Sequence, residues 1–398
     1  MAVPPRSDVP TFLAPVGAQR DYVRGQIVVR FHAGAAGVES VDDPLELLER
    51  EAGAHAVEPL PGAEGLTVVH LDEDALSPEL LRTVESSPAV AFAERVPARW
   101  LSADAADPRH NRQWGLRAIR WFDVEKPEAG DVTVAICDTG VDAGHPDLAG
   151  AIASYDHDGA GAEDIVGHGT HVSGIVAARA DDAAGVVGVA GCRVAMWKVF
   201  PDEPLDGNFY VDGSRFLRAL NAIATSGAKV LNLSLGGTQS SQAEQLLFER
   251  LERAGVTVVA AMGNEHDHGN PVEYPAAYDH VFAVGAAAET NHRSPFSNTG
   301  RHIGIAAPGS NILSTLPTTA SSFRPDTRYA SWSGTSMATP HVAAAAALVA
   351  AQNPDWTPAD TKEHLRRHAG KVGDMGGKDF TEEFGGGILD LAAALSSD

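Results

Sequence analysis

Ser333-Gly334-Thr335-Ser336-Met337-Ala338-Thr339-Pro340-His341 runs without a break into Val342-Ala343-Ala344-Ala345-Ala346-Ala347-Leu348-Val349. The second half is a strong helix former. The first half sets small residues on both sides of one serine, Ser336. A serine at a helix N-terminus has unpaired backbone N–H groups beside it and the positive end of the helix dipole behind it. Those are the conditions that stabilise a developing oxyanion.

The surrounding chain has 398 residues, enough for a large core and a second domain. Its net charge of −23 disfavours nucleic acid and anionic membrane as partners and draws cationic substrates toward the surface. No apolar run approaches the ~20 residues of a membrane span. Residues 1–20 contain Pro4, Pro5, Pro10 and Pro15 and read as an irregular tail without the apolar core of a signal peptide. That reading makes the protein cytoplasmic as written, or secreted if a signal has been removed. Cys137 and Cys192 are too few for a disulfide framework and sit in apolar runs, so buried free thiols are expected.

Upstream, the pattern divides in two. Residues 21–96 read strand, helix, strand, strand, helix, strand, with Gly25–Phe31, Gly65–Leu71 and Ala89–Ala93 as strands and Val57–Leu60 as a short one. Pro44–Glu51 and the Ser77-Pro78-Glu79-Leu80 start signal give the helices. The order predicts a small α+β, ferredoxin-like domain. Residues 97–106 read as a linker, and the larger domain occupies 107–398. There, apolar strands such as Val132–Ile136, Val194–Val199, Val230–Leu233, Val256–Ala260 and Val281–Val284 alternate with helices over Val172–Ala180, Gly213–Ser226 and Ser241–Ala254. The alternation predicts an α/β fold, a doubly wound, mostly parallel sheet covered on both faces. Functional residues of such sheets gather at the carboxyl ends of strands.

Asp138, in Asp138-Thr139-Gly140, follows a strand and lies at such an end. Taken alone, the tripeptide also suits an aspartic protease, but that chemistry needs a second carboxylate sharing a proton. His168, in Gly167-His168-Gly169-Thr170-His171, stands at a loop-to-helix junction between glycines, where an imidazole can enter a cleft. His168 and His171 could also be metal ligands, although no His-Glu-x-x-His supports a zinc hydrolase. Asn264, in Met262-Gly263-Asn264-Glu265, follows a buried strand and can donate its amide to an oxyanion.

Asp138, His168 and Ser336 occur in that order, each on its own motif. On these motifs, with Gly334-Thr335-Ser336-Met337-Ala338-Thr339-Pro340 as the third, the chain resembles the subtilisin-like serine peptidases, the subtilase family. The resemblance covers most of residues 107–394, including the closing Phe384-Gly385-Gly386-Gly387-Ile388-Leu389-Asp390. It implies a serine endopeptidase in which Ser336 attacks, His168 moves the proton, Asp138 orients the imidazole, and Asn264 with the Ser336 N–H forms the oxyanion hole. It further implies that an extended polypeptide binds along Ser234, Leu235 and Gly236, with Ala261 and Gly263 at the pocket floor.

Glu273, directly before Tyr274-Pro275, occupies the position at the base of that pocket in the family. A preference for Lys or Arg before the scissile bond is therefore expected. The family's structural calcium site matches Asp107, Asp147 and Asp182, with main-chain carbonyls near Arg179, Ala184 and Val186. Residues 21–96 resemble its inhibitory propeptide, implying a self-processing proenzyme cut within Ala98–Ala106 and bound by its own propeptide. A monomer is expected. The rival readings are an inactive, peptide-binding member of the same fold and a metallohydrolase built on His168 and His171.

Overall fold

The computed structural model describes residues 22–32, 43–59, 65–72, 75–97, 109–180, 185–205 and 207–396. The chain forms two compact units, Met1–Ala103 and Asp104–Asp398.

The first unit comprises β1 (Tyr22–Phe31), α1 (Pro44–Ala52), β2 (Ala56–Pro59), β3 (Leu66–His70), α2 (Pro78–Glu85) and β4 (Val90–Pro97). Its sheet runs β2-β3-β1-β4 with every pairing antiparallel, the ferredoxin-like arrangement. Both helices start as the sequence directs. Asp43 caps the Leu45 N–H and Ser77 caps the Leu80 N–H, each with a proline in the first turn. Alternation in β1 turns Ile27 and Val29 inward, where they meet Leu48, Val69 and Val84.

The second unit is built on a seven-stranded sheet. Before it comes the short α3 (Trp114–Ala118). The strands are β5 (Thr133–Asp138), β6 (Ile152–Asp156), β7 (Arg193–Lys198), β8 (Val230–Leu233), β9 (Thr257–Ala261), β10 (Val281–Ala287) and β11 (Ile303–Pro308). They lie in the order β11-β10-β9-β8-β5-β7-β6, all parallel. β12 (Ile312–Thr315) and β13 (Tyr329–Trp332) form a separate antiparallel pair.

The helices are α4 (His168–Ala177), α5 (Gly213–Ile223), α6 (Gln242–Arg253), α7 (Thr335–Gln352), α8 (Pro358–Arg367) and α9 (Leu391–Leu395). Along β5, Val134 and Ile136 face a core that includes α4 and α7, while Ala135 and Cys137 face one that includes α5 and α6. The sheet is thus covered on both sides, as the near-continuous apolar strands require. Both cysteines are buried free thiols, and burial pushes the Cys192 thiol up to about 12.

α7 differs from the other helices. It is apolar all round and Met337–Val349 is buried, which fits a helix running through the interior. Its five consecutive alanines, Ala343–Ala347, are each 0% exposed and keep its surface slim against strands β8–β11. Among the described residues no helix is long and apolar enough to cross a membrane.

The chain leaves β5 toward β6 and β7 on one side and reaches β8 to β11 on the other. Neighbouring β5 and β8 therefore form a topological switch point, where connections depart in opposite directions and open a crevice at the strands' carboxyl ends. Asp138 ends β5, Ser234 follows β8, and Asn264 comes three residues after β9.

Candidate active site

The sheet ends bring together residues far apart in sequence. Asp138 is buried, and its Oδ1 accepts the Thr139 N–H at 2.7 Å. His168 Nδ1 lies 2.8 Å from Oδ1 and 3.0 Å from Oδ2 of the same carboxylate. That bond fixes the imidazole and leaves Nε2 as its working nitrogen. Burial by itself would lower the His168 pKa. The Asp138 charge and hydrogen bond, with a further contribution from Asp164, outweigh it and hold the imidazole above its usual value.

This close approach depends on a glycine. A Cβ at Gly169 would sit 2.1 Å from the Gly140 carbonyl oxygen and 3.0 Å from Asp138 Cβ. Only a residue without a side chain lets the first turn of α4 meet the end of β5.

Asp164 holds the same junction from behind. One of its oxygens accepts Thr139 Oγ1–H at 2.8 Å and Gly167 N–H at 2.8 Å. The other accepts Thr170 N–H at 2.9 Å and Thr170 Oγ1–H at 2.6 Å. One buried carboxylate thus ties the residue after Asp138 to the residues flanking His168. Sequence reading missed it, because an acid in Glu163-Asp164, inside an irregular run, looks like any surface residue.

Ser336 is the second residue of α7, so no earlier turn supplies a carbonyl to its N–H. Its hydroxyl donates to the Ser234 carbonyl at 3.1 Å. Its own carbonyl would normally accept from the residue four ahead, but that residue is Pro340, which has no N–H. Ser234 fills the gap, its Oγ donating to the Ser336 carbonyl at 2.8 Å and accepting from Asn232 Nδ2 at 3.0 Å. Asn264 Oδ1 accepts from Thr335 N–H at 2.8 Å and Thr335 Oγ1–H at 3.0 Å. The amide is pinned by its oxygen, which leaves the Nδ2 hydrogens as the groups it can offer a substrate.

His171 belongs to the scaffold. Its ring stacks on Trp332 with centroids 4.9 Å apart and planes 7° apart, and its Nε2 donates to the Ala330 carbonyl at 3.1 Å. Burial pushes its pKa down to about 3, so it stays neutral. His168 Nδ1 is taken up by Asp138, and among the described residues no three His, Cys, Asp or Glu side chains are grouped to hold a metal, so the geometry gives the metallohydrolase reading no support.

The residues expected to bind substrate converge around Glu273. Gly237 and Tyr274 exchange main-chain hydrogen bonds at 2.9 and 2.8 Å, tying the segment after β8 to the one carrying Glu273. Leu235 packs against the core, whereas Gly236 is exposed. Ala261 is buried at the end of β9. A Cβ at Gly263 would fall 2.2 Å from Glu273 Oε1, and one at Gly236 would fall 2.6 Å from Oε2. The Glu273 carboxyl therefore lies between the two glycines, 7% exposed, and accepts from Asn298 Nδ2 at 3.0 Å.

Of the three expected calcium ligands, Asp107 and Asp182 lie outside the described residues. Asp147 is fully buried, with Oδ2 accepting Val186 N–H and Oδ1 accepting Tyr329 Oη–H, each at 2.8 Å.

Residues 129–387 match the family model described as the subtilase family. The chain belongs to the subtilase family. An alkaline protease of Shouchella clausii is 33% identical over 367 residues, spanning 90% of this chain and 87% of that protein. Among solved structures, a protease of Pseudoalteromonas arctica superposes with a TM-score of 0.62 at 27% identity, over 74% of this chain and 99% of that one. Fervidolysin of Fervidobacterium pennivorans, described as a keratinolytic enzyme related to subtilisin, shares the fold with a TM-score of 0.64 at 24% identity, over 96% of this chain and 62% of that one. This subtilase is a serine endopeptidase, a hydrolase acting on polypeptides.

Proposed function

We propose that this endopeptidase cuts through an acyl-enzyme formed on Ser336, and that it is made as a self-processing proenzyme. The observation that carries the reading is the Asp138–His168 hydrogen bond at 2.8 Å, with His168 on a helix packed against the one whose first turn holds Ser336. Ser336 Oγ turns from the Ser234 carbonyl to His168 Nε2, gives up its proton and attacks the substrate carbonyl carbon. Resting hydrogen bonds of this kind commonly rearrange when substrate arrives. The Asn264 Nδ2–H and Ser336 N–H groups receive the oxyanion. His168, now an imidazolium held by Asp138, gives its proton to the leaving amine. A water then repeats the sequence, releasing the new carboxylate and restoring the serine.

Substrate specificity belongs to the same proposal. A polypeptide pairs as an added strand along Ser234–Gly236. Lys or Arg before the scissile bond enters the pocket between Gly236 and Gly263 and meets Glu273. The ferredoxin-like unit acts as inhibitor and folding template, with the cut within residues 98–106, which lie outside the described residues. A structural calcium would be held by Asp147 with Asp107 and Asp182. Asp147 is the one of these ligands within the described residues, and a buried carboxylate suits a hard cation. The ion would tie loops together and take no part in bond breaking. If it is present, a strong chelator lowers the melting temperature of the Ser336→Ala protein; no change argues against it.

The test of the core reading is a serine-directed fluorophosphonate, with mass spectrometry of the wild-type chain beside Ser336→Ala. Labelling at Ser336, and self-cleavage that the substitution abolishes, are expected. A chain that stays unlabelled yet hydrolyses peptides would refute the assignment, and an unlabelled, inert chain would favour the peptide-binding alternative.

A further inference from the structure

Glu273 does not stand alone in its pocket. Its carboxyl faces that of Glu265, the residue after Asn264, closely enough for the two to interact. Asn298 links the two residues, donating from Nδ2 to the Glu273 carboxyl at 3.0 Å and accepting the Glu265 main-chain N–H on Oδ1 at 2.8 Å. Glu265 Oε2 accepts the Asn264 N–H at 2.6 Å. Two ionised carboxylates can only accept, so the pair can share a hydrogen bond only when one of them holds a proton. Like charges in a partly dry site also disfavour double ionisation.

The surroundings decide which group carries the proton. Burial, followed by the bond and charge of Glu265, pushes Glu273 up to about 8, against the opposing pull of Asn298. Glu265 is exposed, and the bond from Glu273, the Asn264 N–H and the His268 charge hold it below its ordinary value despite some burial. Each packed element contributes differently. The Gly236–Gly237 segment brings no titratable group, and Asn298 brings a neutral amide. The turn His266–His268 brings His266, whose Nδ1 faces Asn270 Oδ1 at 3.3 Å, together with Asp267 and His268. Among the described residues no Lys, Arg or His is among the groups that shift Glu273.

We infer that the empty pocket stores one proton on the Glu265–Glu273 pair, and that a Lys or Arg side chain of the substrate displaces it to solvent on entering. This rests on the reading of Glu273 as the base of the specificity pocket. The balance is simple: one protonated pair and one substrate cation become one ion-paired site and one proton in water. Selection of basic residues is then strong only where the pair releases its proton readily. Below that range the pocket presents a neutral acid, which holds a cation weakly.

The experiment compares kcat/KM for two peptides that differ only before the scissile bond, arginine in one and uncharged, near-isosteric citrulline in the other. Both depend equally on His168, so their ratio cancels the catalytic titration. Arginine stays charged throughout. The arginine-to-citrulline ratio is expected to rise roughly tenfold per pH unit below about 8 and to level off above it. Glu265→Gln removes the partner's charge, so the rise should move to lower pH while arginine stays preferred. A ratio above one that is flat from pH 6 to 9 overturns the stored proton and leaves the basic preference standing. A ratio at or below one at every pH overturns the preference itself. A rise that Glu265→Gln does not move excludes Glu265 as the partner.

Discussion

Replacing Asp164 by asparagine tests whether the junction behind the catalytic pair governs the rate. The substitution keeps the shape but puts an NH2 where one oxygen stood. On either side of the carboxyl, one main-chain N–H then faces a donor: Gly167 on one oxygen, Thr170 on the other. The threonine hydroxyls can turn and accept; an N–H cannot. A buried, orphaned N–H costs about 1–3 kcal/mol. Losing the charge from the bonds that survive adds about 1 kcal/mol. The expected loss of stability is therefore about 2–4 kcal/mol, measured by denaturant unfolding in a Ser336→Ala background so that self-digestion does not intrude.

The kinetic effect should be sharper. A His168 displaced by about 1 Å costs on the order of 10² in rate. Asp164 is also one of the charges that raise the His168 pKa. Catalysis needs the neutral imidazole, so removing that charge moves the acid limb of kcat/KM to lower pH. The assay is hydrolysis of a chromogenic peptide amide across pH. Plateau activity within a factor of two of wild type, with an unmoved acid limb, would refute the clamp.

Three further outcomes follow from the same geometry. Asn264→Ala should lower kcat by about 10²–10³ with little change in KM, a magnitude carried over from subtilisin itself; a change confined to KM would place the amide outside the oxyanion hole. Ser234→Ala strands Asn232 Nδ2 and the Ser336 carbonyl and should cost about 2–4 kcal/mol of stability in the Ser336→Ala background, with Ser234→Thr recovering part of it. Ala345→Leu forces a larger side chain into a fully enclosed position and should destabilise by about 1–3 kcal/mol, read by thermal unfolding.

The residues that bond most distinctively were the easiest to read. Asp138, His168, Asn264 and Ser336 each sit on a motif of small neighbours, because close backbone approach demands glycine or another small residue; Gly169 is the clearest case. The doubly wound sheet was legible because strands buried on both faces are continuous apolar runs. β6, with no fully buried position, gave no such run, and β12 and β13 are short and pair across the long irregular connection 316–328, which hides their partnership in the sequence. α4 begins at His168, four residues earlier than the apolar pattern from Val172 suggests, since its first turn packs through Gly169, Thr170 and His171, which carry no apolar signal. Asp164 and the Glu265–Glu273 contact were invisible, as each depends on how an irregular loop folds back on its neighbours, which leaves no periodic signal.

The convergence of Asp138, His168, Asn264 and Ser336 at one switch point makes the site a coincidence detector for folding. Its parts lie on β5, α4, the segment after β9 and α7, which spans nearly two hundred residues of chain. No shorter stretch contains a working set. If these four residues act together as proposed, a nascent or truncated chain stays inert until the last of these elements docks, and cleavage begins only in a molecule whose sheet is already complete.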